Sequence, residues 1–212
     1  MSSRDLASTA AVATRLDDDT VHVWRLAYRR QHGREPLLAL LAVYLNKPAE
    51  ELELIEGAHG RPELVSANGL SFNWSHCDDR AVVAIARGIV PGIDLERLRP
   101  RPRALDIARR YFAADEIDML EALSEDARDE AFLRLWTAKE AVLKALGHGI
   151  AFGLHRLSFD VAKRVPSMRW LDEGNADAWQ LRALDIDPAH FCTLAWQGGP
   201  RRIELHTFEQ GD

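Results

Sequence analysis

The sequence repeats one order of elements: a strand, a helix and further strands occur on each side of residues 88–100. In the first half, the alternating residues 20–24 predict a strand and the apolar residues 37–45 predict a buried helix. In the second half, residues 126–146 predict the longest helix, and four short strands follow it. This order favours an α+β fold with two similar lobes packed against each other, which we place at residues 1–91 and 92–212.

The charge and composition of the chain exclude several classes of protein. There are 33 acidic residues against 27 lysines and arginines, which gives a formal net charge of -6. The overall electrostatic field of the protein therefore does not attract a nucleic-acid backbone. No apolar run reaches the roughly 18 residues of a membrane helix. Residues 1–14 lack a continuous apolar stretch and are expected to form a loose leader. We therefore expect a cytoplasmic protein that binds neither nucleic acid nor membranes.

Two carboxylates stand two residues apart where a predicted strand ends. Asp94 and Glu96 point to the same face of that strand, because successive strand side chains alternate faces. Two carboxylates on one face repel each other unless a cation lies between them. The alternative is a solvated Asp-x-Glu pair, which is common at strand ends.

The longest predicted helix carries a polar stripe. Trp136, Glu140, Lys144 and Gly147 follow one another at helical spacing. Alone, Glu140 and Lys144 would be an ordinary surface ion pair. If the strand and the helix abut, however, Glu140 completes a set of three carboxylates with Asp94 and Glu96. Such a set suits Mg²⁺, and Lys144 would then reach a phosphate.

Residues 72–76 end in Ser75 and His76, two side chains that can bond a phosphate. A packed or capping histidine is the alternative for His76. The glycines of a serine-hydrolase elbow, of a Walker A loop and of a dinucleotide-binding turn are all missing from the sequence.

Four short blocks occur in a fixed order between residues 60 and 149. They are Gly60-Arg61-Pro62, Phe72-Asn73-Trp74-Ser75-His76, Gly92-Ile93-Asp94-Leu95-Glu96, and Trp136-Thr137-Ala138-Lys139-Glu140-Ala141 with Lys144, Gly147 and Gly149. In order and spacing they resemble the signature blocks of the Sfp-type (surfactin-type) 4′-phosphopantetheinyl transferases. Two positions depart from the family's usual pattern: Arg61 replaces a lysine, and Cys77 replaces a small hydroxyl residue.

The resemblance implies a pseudo-dimer of two α+β lobes, with coenzyme A and Mg²⁺ bound in the cleft between them. The metal ligands that it implies are Asp94, Glu96 and Glu140. The residues that it implies for coenzyme A are Arg61, Ser75, His76 and Lys144.

The reaction implied by the resemblance moves the 4′-phosphopantetheine arm of coenzyme A onto a serine of an apo acyl- or peptidyl-carrier protein. Adenosine 3′,5′-bisphosphate would be released by an enzyme of the holo-[acyl-carrier-protein] synthase type. We expect the enzyme to be a monomer. Mg²⁺ would neutralise and align the phosphates. Glu140, directly or through a water, would accept the serine proton, and Lys144 would stabilise the departing phosphate.

Two other interpretations stay open. A magnesium-dependent phosphohydrolase or nuclease would release phosphate without a protein acceptor, and a non-catalytic module would only bind carrier proteins or nucleotides. The phosphohydrolase would leave the His76 and Gly60-Arg61-Pro62 blocks unexplained, and the intact carboxylate set with Lys144 argues against the non-catalytic module. The basic residues around Arg101 and Arg103 predict either a docking surface for an acidic carrier or a solvated arginine face.

Overall fold

The chain forms a mixed α+β structure, as the element order predicts. The computed structural model describes residues 3–57, 60–65, 68–149, 152–160, 164–172 and 174–209. The helices are α1 (Ser3–Ala13), α2 (Glu35–Leu45), α3 (Ala104–Tyr111), α4 (Ala114–Glu121) and α5 (Glu125–Leu146). The strands are β1 (Thr20–Ala27), β2 (Leu54–Glu56), β3 (Pro62–Leu64), β4 (Leu70–Cys77), β5 (Arg80–Arg87), β6 (Gly92–Arg97), β7 (Leu157–Asp160), β8 (Ser167–Leu171), β9 (Trp179–Ala183), β10 (His190–Gln197) and β11 (Arg202–Phe208).

One sheet has the strand order β11-β1-β5-β4. Strand β1 pairs with β5 antiparallel and with β11 parallel. Alternate residues of β1 point to opposite faces of this sheet, and the two faces pack into different hydrophobic cores. Trp24 and Leu26 join a core with Leu37 of α2, whereas Val21 and Val23 belong to a core on the other face.

A second sheet, β6-β10-β9, stacks on that other face. Ile93 and Leu194 are fully buried between the two sheets, and burial of an aliphatic side chain of this size contributes about 1.5–3 kcal/mol. Helix α5 covers the outer face of the second sheet, where the Thr137 and Thr193 hydroxyls lie 2.9 Å apart. The order of layers is therefore α2, first sheet, second sheet, α5.

Side chains of β4 bridge the two sheets next to β6. Asn73 Oδ1 accepts a hydrogen bond from the backbone N–H of Ile93 at 2.8 Å. Ser75 Oγ accepts one from the backbone N–H of Leu95 at 3.2 Å. These bonds satisfy buried backbone donors that strand pairing leaves open. They hold β6, and with it Asp94, in place between β4 and α5.

Gly92 allows β6 to approach α5 closely. A Cβ atom on Gly92 would collide with the backbone of Ala141 and would lie 2.5 Å from the backbone nitrogen of Ala145. We expect Gly92→Ala to lower the free energy of unfolding by about 3 kcal/mol, because two backbone segments would have to move apart. Urea unfolding of the variant and the parent measures this difference.

Gly199→Ala is the matched control, since a Cβ atom there meets no atom within 4 Å in the described part of the chain. The control should leave the unfolding midpoint close to that of the parent. Equal midpoints for all three proteins would show that β6 and α5 are not in close backbone contact.

The expectation for residues 1–14 is wrong. Residues Ser3–Ala13 form the helix α1 rather than a loose leader, because alanine favours helix. Among the described residues, no helix is long and apolar enough to cross a bilayer. The division of the chain at residue 91 and the likeness of two lobes stay predictions, and the last strand, β11, pairs with the first.

Candidate active site

The four charged residues predicted from β6 and α5 lie together in the structure. Lys144 Nζ contacts Asp94 Oδ1 at 2.7 Å. The charges of Asp94 and Glu96 both act on the Glu140 carboxyl. The strand and the long helix therefore abut where the sequence places the carboxylates.

Asp94 is almost completely buried, with 5% of its surface exposed. Its Oδ1 atom accepts hydrogen bonds from Lys144 Nζ at 2.7 Å and from Ser75 Oγ at 3.0 Å. Its Oδ2 atom is buried and has no hydrogen-bond partner among the described residues. A buried carboxylate oxygen without a partner carries a large desolvation cost. A cation at this position would offset that cost.

Glu140 has a strongly perturbed carboxyl. Burial, reinforced by the negative charges of Asp94 and Glu96 and opposed by Lys144, raises its pKa from 4.5 to about 7. Its Oε1 atom is also buried without a partner in the described part of the chain. Perturbed carboxyls of this kind concentrate at functional sites. The group can exchange a proton near neutral pH.

Glu96 forms an ion pair with Arg101, for which the sequence predicts a docking surface or a solvated face. Arg101 Nη2 donates to Glu96 Oε2 at 2.6 Å, and both side chains are mostly buried. Burial and the charge of Asp94 raise the pKa of Glu96, whereas Arg101 lowers it. Arg101 therefore faces the carboxylate cluster, while Arg103 is exposed. No local pattern distinguishes the two arginines in the sequence.

Lys144 donates to several oxygens at the centre of the site. Besides Asp94, it reaches Ser75 Oγ and the backbone carbonyl of Ile93, both at 3.1 Å. The Ser75 hydroxyl in turn donates to Asp94. Ser75 therefore lies in the cluster, where it links the lysine to the carboxylate.

His76 follows Ser75 on β4 and is exposed. Its ring stacks on Tyr28 with the ring centroids 4.3 Å apart and an interplanar angle of 18°. Burial and the positive charges of Lys144 and Arg30 lower its pKa. The neutral imidazole is therefore favoured, and it can both donate and accept a hydrogen bond.

Arg61 binds backbone carbonyls at the C-terminal end of α5. Its guanidinium donates to the carbonyl of Lys144 at 2.8 Å and to that of Phe72 at 2.9 Å. Carbonyls in the last turn of a helix lack intrahelical partners, and Gly147 ends the helix with a left-handed φ of 73°. Arg61 thus fixes the turn that carries Lys144. A contact between Arg61 and coenzyme A stays a prediction.

The residues present fit a hard divalent cation. Three carboxylates converge, and two of their oxygens, Asp94 Oδ2 and Glu140 Oε1, are buried without a partner among the described residues. Magnesium takes oxygen ligands and binds through a few carboxylates together with substrate phosphates. Asp94, Glu96 and Glu140 are the side chains that would hold it.

The raised pKa of Glu140 predicts how the stability of the metal-free protein depends on pH. Between pH 4.5 and about 7, the Glu140 carboxyl is protonated in the folded protein but ionised in the unfolded chain. The stabilisation is complete below the unfolded pKa and is lost as the pH rises through 7. We expect this group to lower the free energy of unfolding by about 3 kcal/mol over that range, and Glu140→Gln should remove this decline. Urea unfolding across this pH range in metal-free buffer measures how the free energy of unfolding depends on pH in the parent and in Glu140→Gln.

The control for this measurement is Glu130→Gln, an exposed carboxyl on the same helix. That variant should show the same decline as the parent. The assignment of the raised pKa to Glu140 would fail if Glu140→Gln and the parent lost stability in parallel.

Comparison with known proteins identifies the family of the chain. Residues 91–195, which include β6 and α5, match the sequence model of the 4′-phosphopantetheinyl transferase superfamily. The protein slr0495 of Synechocystis sp. is 36% identical over 172 residues, which cover 77% of this chain and 69% of the relative. The 4′-phosphopantetheinyl transferase HetI of Nostoc sp. is 33% identical over 166 residues, covering 77% of this chain and 67% of HetI.

A third relative is similar over the same share of the chain. The 4′-phosphopantetheinyl transferase psf-1 of Bacillus pumilus is 30% identical over 164 residues, which cover 76% of this chain and 69% of psf-1. The resemblance drawn from the four sequence blocks is confirmed by these matches. The chain belongs to the 4′-phosphopantetheinyl transferase superfamily.

Proposed function

We propose that the protein transfers the 4′-phosphopantetheine group of coenzyme A to a serine of an apo acyl- or peptidyl-carrier protein. The observation that carries the proposal is the buried cluster of Asp94, Glu96 and Glu140 around Lys144, with two carboxylate oxygens that have no partner in the described part of the chain. HetI and psf-1 are both named as 4′-phosphopantetheinyl transferases, which supports the proposal.

The reaction needs a site that tolerates concentrated negative charge. The serine oxygen forms a bond to the phosphorus that carries the pantetheine arm, and the bond from that phosphorus to the bridging oxygen of the diphosphate breaks. Adenosine 3′,5′-bisphosphate leaves with the bond electrons. When bound, Mg²⁺ supplies charge neutralisation and alignment of the phosphates.

Glu140 is the proposed base for the serine proton, directly or through a water. Without a bound cation its pKa is about 7, so the metal-free carboxyl can exchange a proton near neutral pH. Lys144 stabilises charge on the departing phosphate. Before substrate binds, the ammonium group lies on Asp94 and Ser75, so it is already positioned at the carboxylate cluster.

The coenzyme A contacts are assigned to the residues around this cluster. His76 is exposed and feels the charge of Lys144, and one edge of its ring would meet a phosphate. Ser75 and Arg61 would contribute after exchanging bonds that they now make to Asp94 and to backbone carbonyls. We further propose an Sfp-type monomer in the cytoplasm, with the active site in a cleft between two similar lobes divided near residue 91.

The decisive experiment is the intact mass of an apo-carrier protein after incubation with the enzyme, coenzyme A and Mg²⁺. We expect a mass gain equal to one phosphopantetheine group, and none on a carrier whose acceptor serine is replaced by alanine. Release of phosphate without a change in the carrier would indicate a phosphohydrolase. Binding of the carrier without either product would indicate a non-catalytic module.

A further inference from the structure

A second cluster of metal-binding side chains lies on β1 and β11, outside the site described above. The parallel register sets His22 opposite Glu204 and Trp24 opposite His206. Paired residues in a parallel ladder point to the same face, as do residues two apart in one strand. His22, Glu204 and His206 therefore share one face of the first sheet, the face that packs against α2.

The ligand atoms of this cluster converge. His22 Nε2 lies 3.7 Å from Glu204 Oε2, and His206 Nε2 lies 3.5 Å from the same oxygen. Both distances exceed those of good hydrogen bonds. Ligand atoms bound to Zn²⁺ at about 2.0–2.2 Å lie roughly 3.3 Å apart in a tetrahedron. A small inward movement of the three side chains would complete three corners of such a site.

His22 is the most deeply buried member of the cluster. Its side chain is completely buried, and its Nε2 atom has no hydrogen-bond partner among the described residues. The Nε2 atom of His206 is likewise buried and unpaired within that part of the chain. Two unpaired imidazole nitrogens on either side of one carboxylate are costly, because each buried polar atom has lost its water. A cation at the centre would satisfy both nitrogens.

The other nitrogen of His22 is already fixed. His22 Nδ1 lies 2.7 Å from the Tyr44 hydroxyl, which also accepts a hydrogen bond from Trp24 Nε1 at 2.7 Å. Metal-bound histidines commonly donate their second ring N–H to such a partner, which sets the tautomer and the ring orientation. If Nδ1 donates to Tyr44, the lone pair of Nε2 points at Glu204.

We propose that His22, Glu204 and His206 bind one transition-metal ion of the zinc class. Two imidazoles and a carboxylate suit Zn²⁺, whereas the all-carboxylate set around Asp94 suits Mg²⁺. A cavity of about 230 Å³, lined in part by His206 and Trp24, lies next to the cluster. The ion would join β11 to β1 on the side of the sheet facing α2.

Two arginines near Glu204 must be accommodated. Arg202 Nε holds the outer oxygen, Oε1, at 3.3 Å, which leaves Oε2 directed at the histidines. Arg15 lies 3.7 Å from Oε2 and has a side chain that is 59% exposed. Arg15 can therefore turn into solvent when a cation binds. Losing this exposed ion pair costs little, because water solvates the guanidinium.

The test is titration of the chelator-treated full chain with Co²⁺ and then Zn²⁺, in excess Mg²⁺ to saturate carboxylate sites. We expect one Co²⁺ per chain, with the visible absorption of a tetrahedral nitrogen-containing site, displaced by one Zn²⁺. His206→Gln should weaken Zn²⁺ binding by at least about 100-fold, and Tyr44→Phe by roughly 10–100-fold, as for an outer-shell partner.

His155→Gln is the matched control, since this histidine is exposed on another part of the chain. It should bind both ions as the parent does. Zn²⁺ should also raise the melting temperature of the parent and of His155→Gln but not that of His206→Gln. If His206→Gln melts early without metal, Glu204→Gln gives the same comparison. Equal affinities in the parent and the ligand variants, or no tetrahedral spectrum, would overturn the proposal and leave a purely structural histidine cluster.

Discussion

Asp94→Ala should lower the rate of phosphopantetheine transfer by at least about 100-fold, which corresponds to roughly 3 kcal/mol of barrier. The substitution removes the carboxylate whose Oδ2 is buried and unpaired in the described structure, and with it one proposed magnesium ligand. It also leaves Lys144 without its ion-pair partner. The measurement is the rate of holo-carrier formation at saturating coenzyme A and Mg²⁺.

Asp106→Ala, which removes an exposed carboxylate from α3, is the control for a general effect of charge. It should keep the parental rate. Asp94→Ala should remain folded, because the loss of one negative charge relieves repulsion with Glu140 and Glu96. If folded Asp94→Ala protein turned over at the parental rate in saturating Mg²⁺, the assignment of the metal to this cluster would be wrong.

The second large effect concerns an ion pair in the core beneath the same helix. Lys139 Nζ lies 2.7 Å from Glu116 Oε2, and both side chains are essentially unexposed. Lys139 also donates to the backbone carbonyls of Leu154 and Leu157. We expect Lys139→Met to lower the free energy of unfolding by about 3–5 kcal/mol, because it leaves the buried Glu116 carboxylate without its ion-pair partner. Methionine fills most of the volume of the lysine, so the loss reports on the charge and not on a cavity. Urea unfolding with a constant slope measures the loss.

The double variant with Lys139→Met and Glu116→Gln should be more stable than Lys139→Met alone, because it removes the unpaired charge. An exposed pair gives the contrast: Arg109→Ala, which breaks the contact with Glu121, should cost less than about 1 kcal/mol. A loss below 1 kcal/mol for Lys139→Met would show that the buried pair contributes little.

The local part of the site was predictable from sequence. The spacing of Glu140 and Lys144 fixes one helix face, and the spacing of Asp94 and Glu96 fixes one strand face, because both periodicities are set by backbone geometry. The structure then shows that the two faces meet. The roles proposed for these residues come from the family resemblance, because local geometry alone leaves them open.

The remaining contacts join distant segments, and no local pattern encodes them. In the sequence Arg101 is one of several neighbouring arginines, but in the structure it forms an ion pair with Glu96. Lys139 lies beside Glu140 in the sequence but points into the core, toward Glu116. His22 and Glu204 come from opposite ends of the chain, and only the pairing of β11 with β1 brings them together. Such pairings depend on tertiary packing, which overrides local preference.

The parallel pairing of β1 with β11 has a consequence for how the chain acquires its fold. Strand β1 is synthesised well before its neighbour β11, which ends only at Phe208. Until then, one edge of β1 has unsatisfied N–H and C=O groups and is open to pairing with other chains. Contacts between such distant segments also slow folding, because a long loop must close first. Nascent or truncated chains without residues 202–208 should therefore depend on chaperones and aggregate more readily than chains that contain these residues.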